Sequence, residues 1–297
     1  MKPEIRDLLA SLEAEGYVAE PATATAVFLA RAMRKPLLVE GDAGVGKTEL
    51  AKVLARLLGT ELIRLQCYEG LDVQTALYEW DYPRQLLRLR MSEGRGEDPR
   101  EVEARIFSRE YLLERPLLRA ITHADRAPVL LVDEVDRADD GFEAFLLELL
   151  SDFQVTIPEL GTIRAEHPPY VVLTSNRTRE LGDALRRRCL YLYMEHPSLE
   201  KEVRIIRTRW PQAQERLARE VGRFLQALRG RSLVKSPGVA ETLDWTQALL
   251  TLRQDALEPE VVTQTIGCLL KDRHDLETLT PSELAALVTL ACEEPAS

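Results

Sequence analysis

Apolar residues in this chain fall into short dense blocks, separated by longer stretches in which they recur every three or four positions. Five blocks are nearly continuous: "PLLVE" at 36–40, "ELIRLQC" at 61–67, "PVLLVDE" at 128–134, "YVVLTSN" at 170–176 and "CLYLYM" at 189–194. Runs that are apolar on both faces predict strands of a parallel sheet covered on each side. The helical stretches between them predict an α/β fold in three layers.

Two of those stretches show their period clearly. After Lys47, the residues Leu50, Val53, Leu54, Leu57 and Leu58 stand on one helical face, and Gly59 follows as a stop. Phe142, Phe145, Leu146, Leu149, Leu150 and Phe153 repeat the pattern after the third block. Residues 92–105, "SEGRGEDPREVEAR", are charged and interrupted by glycine and proline, which predicts an exposed loop. Residues 154–169 predict a β-hairpin with its turn near Glu159–Gly161.

Beyond Pro197 the strand pattern stops. "LEKEVRIIRTRW" predicts a helix. Leu217, Val221, Phe224, Leu225 and Leu228 mark the next, closed by Gly230. "PGVAETLDWTQALLTL" and "PEVVTQTIGCLL" give two more, and Thr280-Pro281-Ser282-Glu283 is a capping box opening a last one. The division is therefore an αβα core over 1–197 and an all-α domain over 198–297.

Composition narrows the function classes. The chain has 297 residues, 45% of them hydrophobic, with a net charge of -10 and a sequence pI near 5.2. A sizeable core is affordable, and a general affinity for nucleic acid or anionic membrane, which needs a basic field, is disfavoured. Cys67, Cys189, Cys268 and Cys292 have neither C-x-x-C nor zinc-finger spacing, and each sits in an apolar context expected of a core thiol. A reducing, cytoplasmic setting is the expectation. The first sixteen residues carry acids and no apolar signal core, and no run reaches the ~18 apolar residues of a membrane helix.

The chemistry begins at "LLVEGDAGVGKTEL", where Gly41-x-x-x-x-Gly46-Lys47-Thr48 matches a phosphate-binding loop. The backbone from Gly41 through Asp42, Ala43, Gly44, Val45 and Gly46 can wrap a phosphate in N–H groups, because the glycines permit tight curvature and positive φ. The helix opened by Lys47, Thr48 and Glu49 adds its own N–H groups. Lys47 supplies charge to the phosphates and Thr48 a hydroxyl to Mg²⁺. The third strand ends in Asp133-Glu134. A carboxylate there can hold a Mg²⁺-bound water, and Glu134 stands where a general base would polarise an attacking water. A phosphate-transferring kinase needs no such glutamate, so the pair favours hydrolysis. The fourth strand ends in Thr174-Ser175-Asn176, and if it lies next to the Asp133 strand, Asn176 can orient the same water or contact the γ-phosphate. Arg186, Arg187 and Arg188 precede the fifth strand, and guanidinium groups suit transition-state stabilisation from a neighbouring subunit. Charge alone does not choose among the three.

These features together resemble an AAA+ ATPase, and more narrowly the MoxR family. The narrower resemblance rests on "CYEGLDVQTALYEWDYPRQLL", "VVLTSNRTRELGDALRRRC" and "KSPGVAETLDW", and is nearest the branch linked to maturation of carbon monoxide dehydrogenase and similar metalloenzymes. It implies sheet order 5-1-4-3-2, a helical lid, and a ring, usually a hexamer, with ATP between subunits. It implies Thr48 and Asp133 as Mg²⁺ ligands, Glu134 as base and Asn176 as first sensor. Arg188 becomes the trans-acting arginine with Arg187 next in line, and Arg137 an arginine near the subunit boundary. The hairpin at 154–169 matches one family insertion, and the region around Leu77–Tyr82, within 71–90, a second. A von Willebrand A-type partner protein and a metalloenzyme client are also implied. One departure stands out: Gly238 occupies the position of the family's second-sensor arginine, with Lys235 as the nearest substitute. Two other readings use the same motifs. One is a nucleic-acid motor or loader, for which "PRQLLRLR" at 83–90 is the mild support. The other is a scaffold in which ATP cements a ring without being hydrolysed.

Overall fold

A computed structural model describes residues 1–93 and 97–293. Two compact units appear, each with its own apolar core. One gathers Met1–Arg6, Pro21–Glu40 and Leu50–Tyr193, and the other Asp7–Glu20, Gly41–Glu49 and the chain from Met194 onward.

The first unit is built on the expected sheet. In chain order the strands of the protein are β1 (Leu37–Gly41), β2 (Leu62–Gln66), β3 (Tyr78–Trp80), β4 (Leu112–Glu114), β5 (Val129–Asp133), β6 (Gln154–Ile157), β7 (Gly161–Arg164), β8 (Tyr170–Ser175) and β9 (Leu190–Met194). Five of them form one parallel sheet in the order β2-β5-β8-β1-β9, which is the order that the resemblance implies. Register is set by pairs such as Ile63 with Leu130, Leu131 with Val172 and Val39 with Thr174. Every residue of β1 and β5 is buried, as both-face apolar runs require. The edge strands β2 and β9 instead alternate, exposing Arg64 on one and Tyr191 and Tyr193 on the other.

The helix Lys47–Leu58 buries Leu50, Val53 and Leu54, and Gly59 ends it at φ +58°. The helix Asp140–Asp152 is capped by Asp139 and buries Phe142, Leu146, Leu149 and Leu150. Phe153 lies just outside it, as a left-handed C-cap at φ +48°. β6 and β7 make the expected hairpin, with Thr156 opposite Thr162 and the turn between Ile157 and Gly161.

The stretch 92–105 is not simply a loop. Asp98 caps a helix over Pro99–Ile106 whose Val102 and Ile106, four residues apart, are buried; residues 94–96 of the expected loop lie outside the described residues. A second helix, Tyr82–Glu93, precedes it, and β3 and β4 pair antiparallel beside them.

The second unit is helical where the sequence expected helices: Leu199–Arg209, Glu215–Arg229, Val239–Thr251, Pro259–Thr265 and Pro281–Cys292, with a further short helix over Arg273–Thr278. Leu217, Val221, Phe224, Leu225 and Leu228 are fully buried, and Phe224 packs on Trp245 with ring centroids 5.1 Å apart. The Trp245 indole N–H donates to Thr265 Oγ1 at 2.8 Å, so its burial leaves no polar group unpaired. Thr280 and Glu283 make the predicted capping box. Cys67 is buried and the other three cysteines half-buried. No helix among the described residues is long and apolar enough to cross a membrane.

Candidate functional site

In a parallel α/β sheet, chemistry collects at the carboxyl edge of the strands, where each run of apolar residues gives way to polar ones. β5 ends there in Asp133, β8 in Ser175 and β1 at Glu40 and Gly41, with Glu40 in register with Ser175. Asp133, nearly fully buried, accepts a 2.5 Å hydrogen bond at Oδ1 from the Thr174 hydroxyl. At Oδ2 it accepts two from Arg64, 2.6 Å from Nη2 and 3.0 Å from Nε. Two of the sheet's neighbours thus hold one carboxylate: Thr174 from β8 and Arg64 from β2.

Glu134 follows in a strained turn. Its φ of +54° and ψ of +50° are left-handed, a region that a side chain with a Cβ rarely occupies. Such strain persists only where the surroundings over-determine it, and it clusters at functional sites. The Glu134 N–H donates to Thr174 Oγ1 at 2.9 Å, and its carboxylate pairs with Arg137 Nε at 2.6 Å. The same threonine therefore fixes both acids of the Asp133-Glu134 pair.

Asn176 is positioned by a carboxylate that the sequence reading passed over. Buried Asp136 accepts from the Asn176 main-chain N–H at 3.2 Å and from Thr178 N and Oγ1 at 2.8 and 2.7 Å. The next residue, Arg177, is again left-handed, at φ +60°. The tips of β5 and β8 are thus bolted together by Asp133, Thr174 and Asp136. Cys67, at the end of β2, feels this acidic crowd: burial first, then Asp133, Asp136 and Glu134, push its thiol up to about 12.

The arginine cluster lies on a short helix, Asp183–Arg188. Its approach is fixed by buried Glu143, which accepts from Gly182 N at 2.9 Å and pairs with Arg179. Arg186 stacks over the Tyr191 ring at 5.7 Å and stands 3.9 Å from the buried Glu40 carboxylate. Arg188 donates from Nη1 to the Leu147 carbonyl at 2.7 Å. Arg187 is exposed.

In the second unit, the loop that follows β1 curls around its own lysine. Lys47 is buried, and its ammonium donates to Gly41 O at 2.7 Å and Asp42 O at 2.6 Å. Gly46 has φ +99° with open space where a Cβ would stand, the kind of cradle that an anion fills. Gly44, at φ +79°, meets the start of the Val239–Thr251 helix: the Val239 N–H donates to Gly44 O at 2.8 Å. The two backbones approach so closely that a Cβ on Gly238 would come within 2.6 Å of the Gly44 Cα. A side chain at 238 has no room here. Lys235 is exposed, with its N–H held by Asp275 Oδ2 at 3.1 Å.

Gly238 is itself held in place. Glu241 accepts from its N–H at 3.0 Å. Arg229 donates to the Pro237 carbonyl at 2.8 Å and makes a bidentate pair with Glu202, both bonds 2.8 Å, in which Glu202 is fully buried. Nearby, His196 Nε2 lies 3.4 Å from Asp42 Oδ2, and burial, then Arg229, hold its pKa below the usual histidine value.

A family model described as the AAA domain of the dynein-related subfamily matches residues 36–189. The chain belongs to this AAA family. No curated protein sequence matches it. Among solved structures it is similar to the RuvB Holliday junction branch migration motor of Thermotoga maritima, at 18% identity and a TM-score of 0.46, over 86% of this chain and 68% of that one. A proline-to-glycine mutant of the same protein gives 17% and 0.49, over 93% and 75%. A candidate ATPase from Cytophaga hutchinsonii gives 13% and 0.49, over 97% and 94%.

The AAA family match covers the Gly41–Thr48 loop, Asp133-Glu134, Asn176 and Arg186–Arg188. Three contacts had not been expected from the sequence: in the first unit Arg64 and Asp136, and in the second the Gly44–Gly238 approach. Arg64 had a signal, a charge in the middle of an apolar strand. Asp136 had a weaker one, a third acid in "DEVD". The glycine pair is distant in sequence and has none.

Proposed function

We propose that this AAA ATPase hydrolyses ATP with Mg²⁺ and uses the cycle to remodel a protein client. The observation that carries the hydrolytic half is Glu134. It is strained, anchored through Thr174 to the neighbouring strand, and adjacent to a carboxylate of the right chemistry for a hard cation. Thr48 and Asp133 are the oxygen donors assigned to Mg²⁺, which takes one or two protein oxygens and draws the rest from phosphate and water. The donor set fits: a hydroxyl, a carboxylate and a glycine loop with an open cradle. Bound Mg²⁺ would neutralise charge on the phosphates.

The chain's own residues divide the remaining work. Gly41 to Glu49 supply main-chain N–H groups and Lys47 its ammonium. Glu134 accepts the proton of the attacking water, which requires it to leave Arg137. Asn176 orients that water. Arg188, with Arg187 as second choice, acts on the site of a neighbouring copy, so the active form is a ring, a hexamer in the reading that the MoxR resemblance supports. Lys235 is assigned the second-sensor role that Gly238 leaves vacant. The same resemblance supports a von Willebrand A-type partner and a metalloenzyme client in maturation or assembly.

The basic stretch offered for a nucleic-acid motor does not make a basic patch. Arg84 is paired with Glu110 and Arg88 with Glu97, which leaves Arg90 of the three arginines on that helix.

The test is Glu134→Gln in the full chain. The expected result is retained ATP binding with hydrolysis lost by about a hundredfold or more, and a stabilised complex from which clients are identified by mass spectrometry. Brisk turnover in the variant would remove Glu134 as the base. Tight ATP binding by Lys47→Ala would remove the phosphate-loop assignment.

A further inference from the structure

The helix Asp183–Arg188 is too short to hold its own place. It has six residues, opens on Gly182 without a side-chain cap, and buries Leu185. A helix of this length is unstable by itself, so the direction of its three arginines depends on what grips its ends. At the far end Arg188 donates to the Leu147 carbonyl at 2.7 Å. At the near end the Gly182 N–H donates to Glu143 Oε2 at 2.9 Å. The fit is close: a Cβ on Gly182 would lie 3.1 Å from that oxygen.

Glu143 is buried, and its other oxygen is held by Arg179. Arg179 does more than balance this charge. A guanidinium carries five N–H donors, and here there is an acceptor for each. Nε and Nη2 donate to the Ala138 carbonyl at 2.9 and 2.5 Å, and Nη2 also to Glu143 Oε1. Nη1 donates to Asp140 Oδ1 at 3.3 Å and to the Glu180 carbonyl at 3.1 Å. A lysine, with its donors on one atom, has no such fork. With its donors spent in this way, Arg179 is built to hold protein and not a ligand.

What it holds is the turn that begins at Glu134. Ala138 closes the turn Val135–Arg137. The segment from Asn176 to Gly182 is therefore clamped to that turn twice. Asp136 grips it through Asn176 and Thr178, and Arg179 grips it through Ala138, just before the arginine helix starts.

We propose that Arg179 is a positioning residue that registers the Asp183–Arg188 helix against the Glu134 turn. The arginines offered to a neighbouring copy are then aimed by the same frame that holds Glu134 and Asn176. The proposal rests on the reading that this helix acts on a neighbour's site.

The experiment uses the full chain as Arg179→Met/Glu143→Gln. The glutamine keeps an acceptor for the Gly182 N–H and leaves no buried charge stranded. Hydrogen exchange should quicken about tenfold or more at the amides of residues 183–188 and stay unchanged in β8. Unchanged exchange in that helix, or equal quickening in β8, overturns the proposal. ATP binding should be retained and turnover should fall about tenfold or more. Mixing this variant with Lys47→Ala subunits, whose arginine helix is intact, should restore turnover. Mixing it with Arg186→Ala/Arg187→Ala/Arg188→Ala subunits should not. No recovery with Lys47→Ala, in rings shown to be mixed, would mean that Arg179 serves its own site, and overturns the proposal. Wild-type turnover by the triple alanine variant alone would remove the reading that the helix acts in trans. The exchange result would then still decide whether Arg179 places the helix.

Discussion

Arg64 on β2 covers one oxygen of Asp133 on β5 with two hydrogen bonds, at 2.6 and 3.0 Å. Under the Mg²⁺ assignment proposed for Asp133, this guanidinium would compete with the divalent ion for the carboxylate, and it is only half withdrawn from water, with 49% of its side chain exposed. Replacing it with glutamine leaves a shorter, neutral donor. Arg64→Gln should lower the metal concentration needed for half-saturation of the nucleotide-loaded protein, read as Mn²⁺ binding by electron paramagnetic resonance. An unchanged or weakened Mn²⁺ affinity would show that Arg64 positions Asp133 instead of competing for it.

The approach of Gly238 to Gly44 leaves no space for a methyl group. Gly238→Ala should therefore force the Val239–Thr251 helix off the phosphate loop and cost about 1–3 kcal/mol, the range for overpacking a tight contact. Gly267, whose added Cβ would meet nothing within 4 Å, is the control. Chemical denaturation of the two alanine variants decides it: equal midpoints would mean that the contact is not tight.

In the Arg229–Glu202 pair Glu202 is fully buried and the Arg229 side chain nearly so, and removing the arginine strands the carboxylate's charge. Arg229→Ala should cost about 3–5 kcal/mol, while Arg229→Met/Glu202→Met should be much less harmful, because no buried charge is left. A double variant as unstable as the single would show that the arginine acts through its bond to Pro237 O and not through the pair.

His196 should make stability fall on acidification. Its folded pKa is depressed, so the folded state binds fewer protons than the unfolded one below the ordinary histidine value of about 6.5. The histidine's contribution is complete above that value and is lost as pH falls through it towards the folded pKa. His196→Gln should flatten the melting temperature between about pH 7 and about pH 5.5. A variant with the same slope as wild type would assign the acid sensitivity elsewhere.

The helix Tyr82–Glu93 shows where the sequence stops being legible. Strands β1, β5 and β8 could be read because central strands must be apolar on both faces, and Lys47, Asp133 and Glu134 stand out as candidates because each belongs to a short local motif within the matched AAA region. The Tyr82–Glu93 helix could not, because its apolar residues face solvent and its buried residues are polar, which inverts the signal that periodicity carries. The helix Pro99–Ile106 was hidden for a related reason: only Val102 and Ile106 are buried, and the charged remainder reads as loop. Local motifs were visible, but the bonds of Arg64 to Asp133 and of Asp136 to Thr178 in the first unit, and of Val239 to Gly44 in the second, join residues far apart in sequence, which only the folded topology brings together.

The bond from Val239 to Gly44 has one more implication. Both of its atoms belong to the main chain, so no exchange of side-chain chemistry can strengthen, weaken or reverse it. What variation can do is alter size at the two glycines. A saturation screen of this protein would therefore record the link as two positions that reject every substituent regardless of charge or polarity, the mark of a contact limited only by the distance between two backbones.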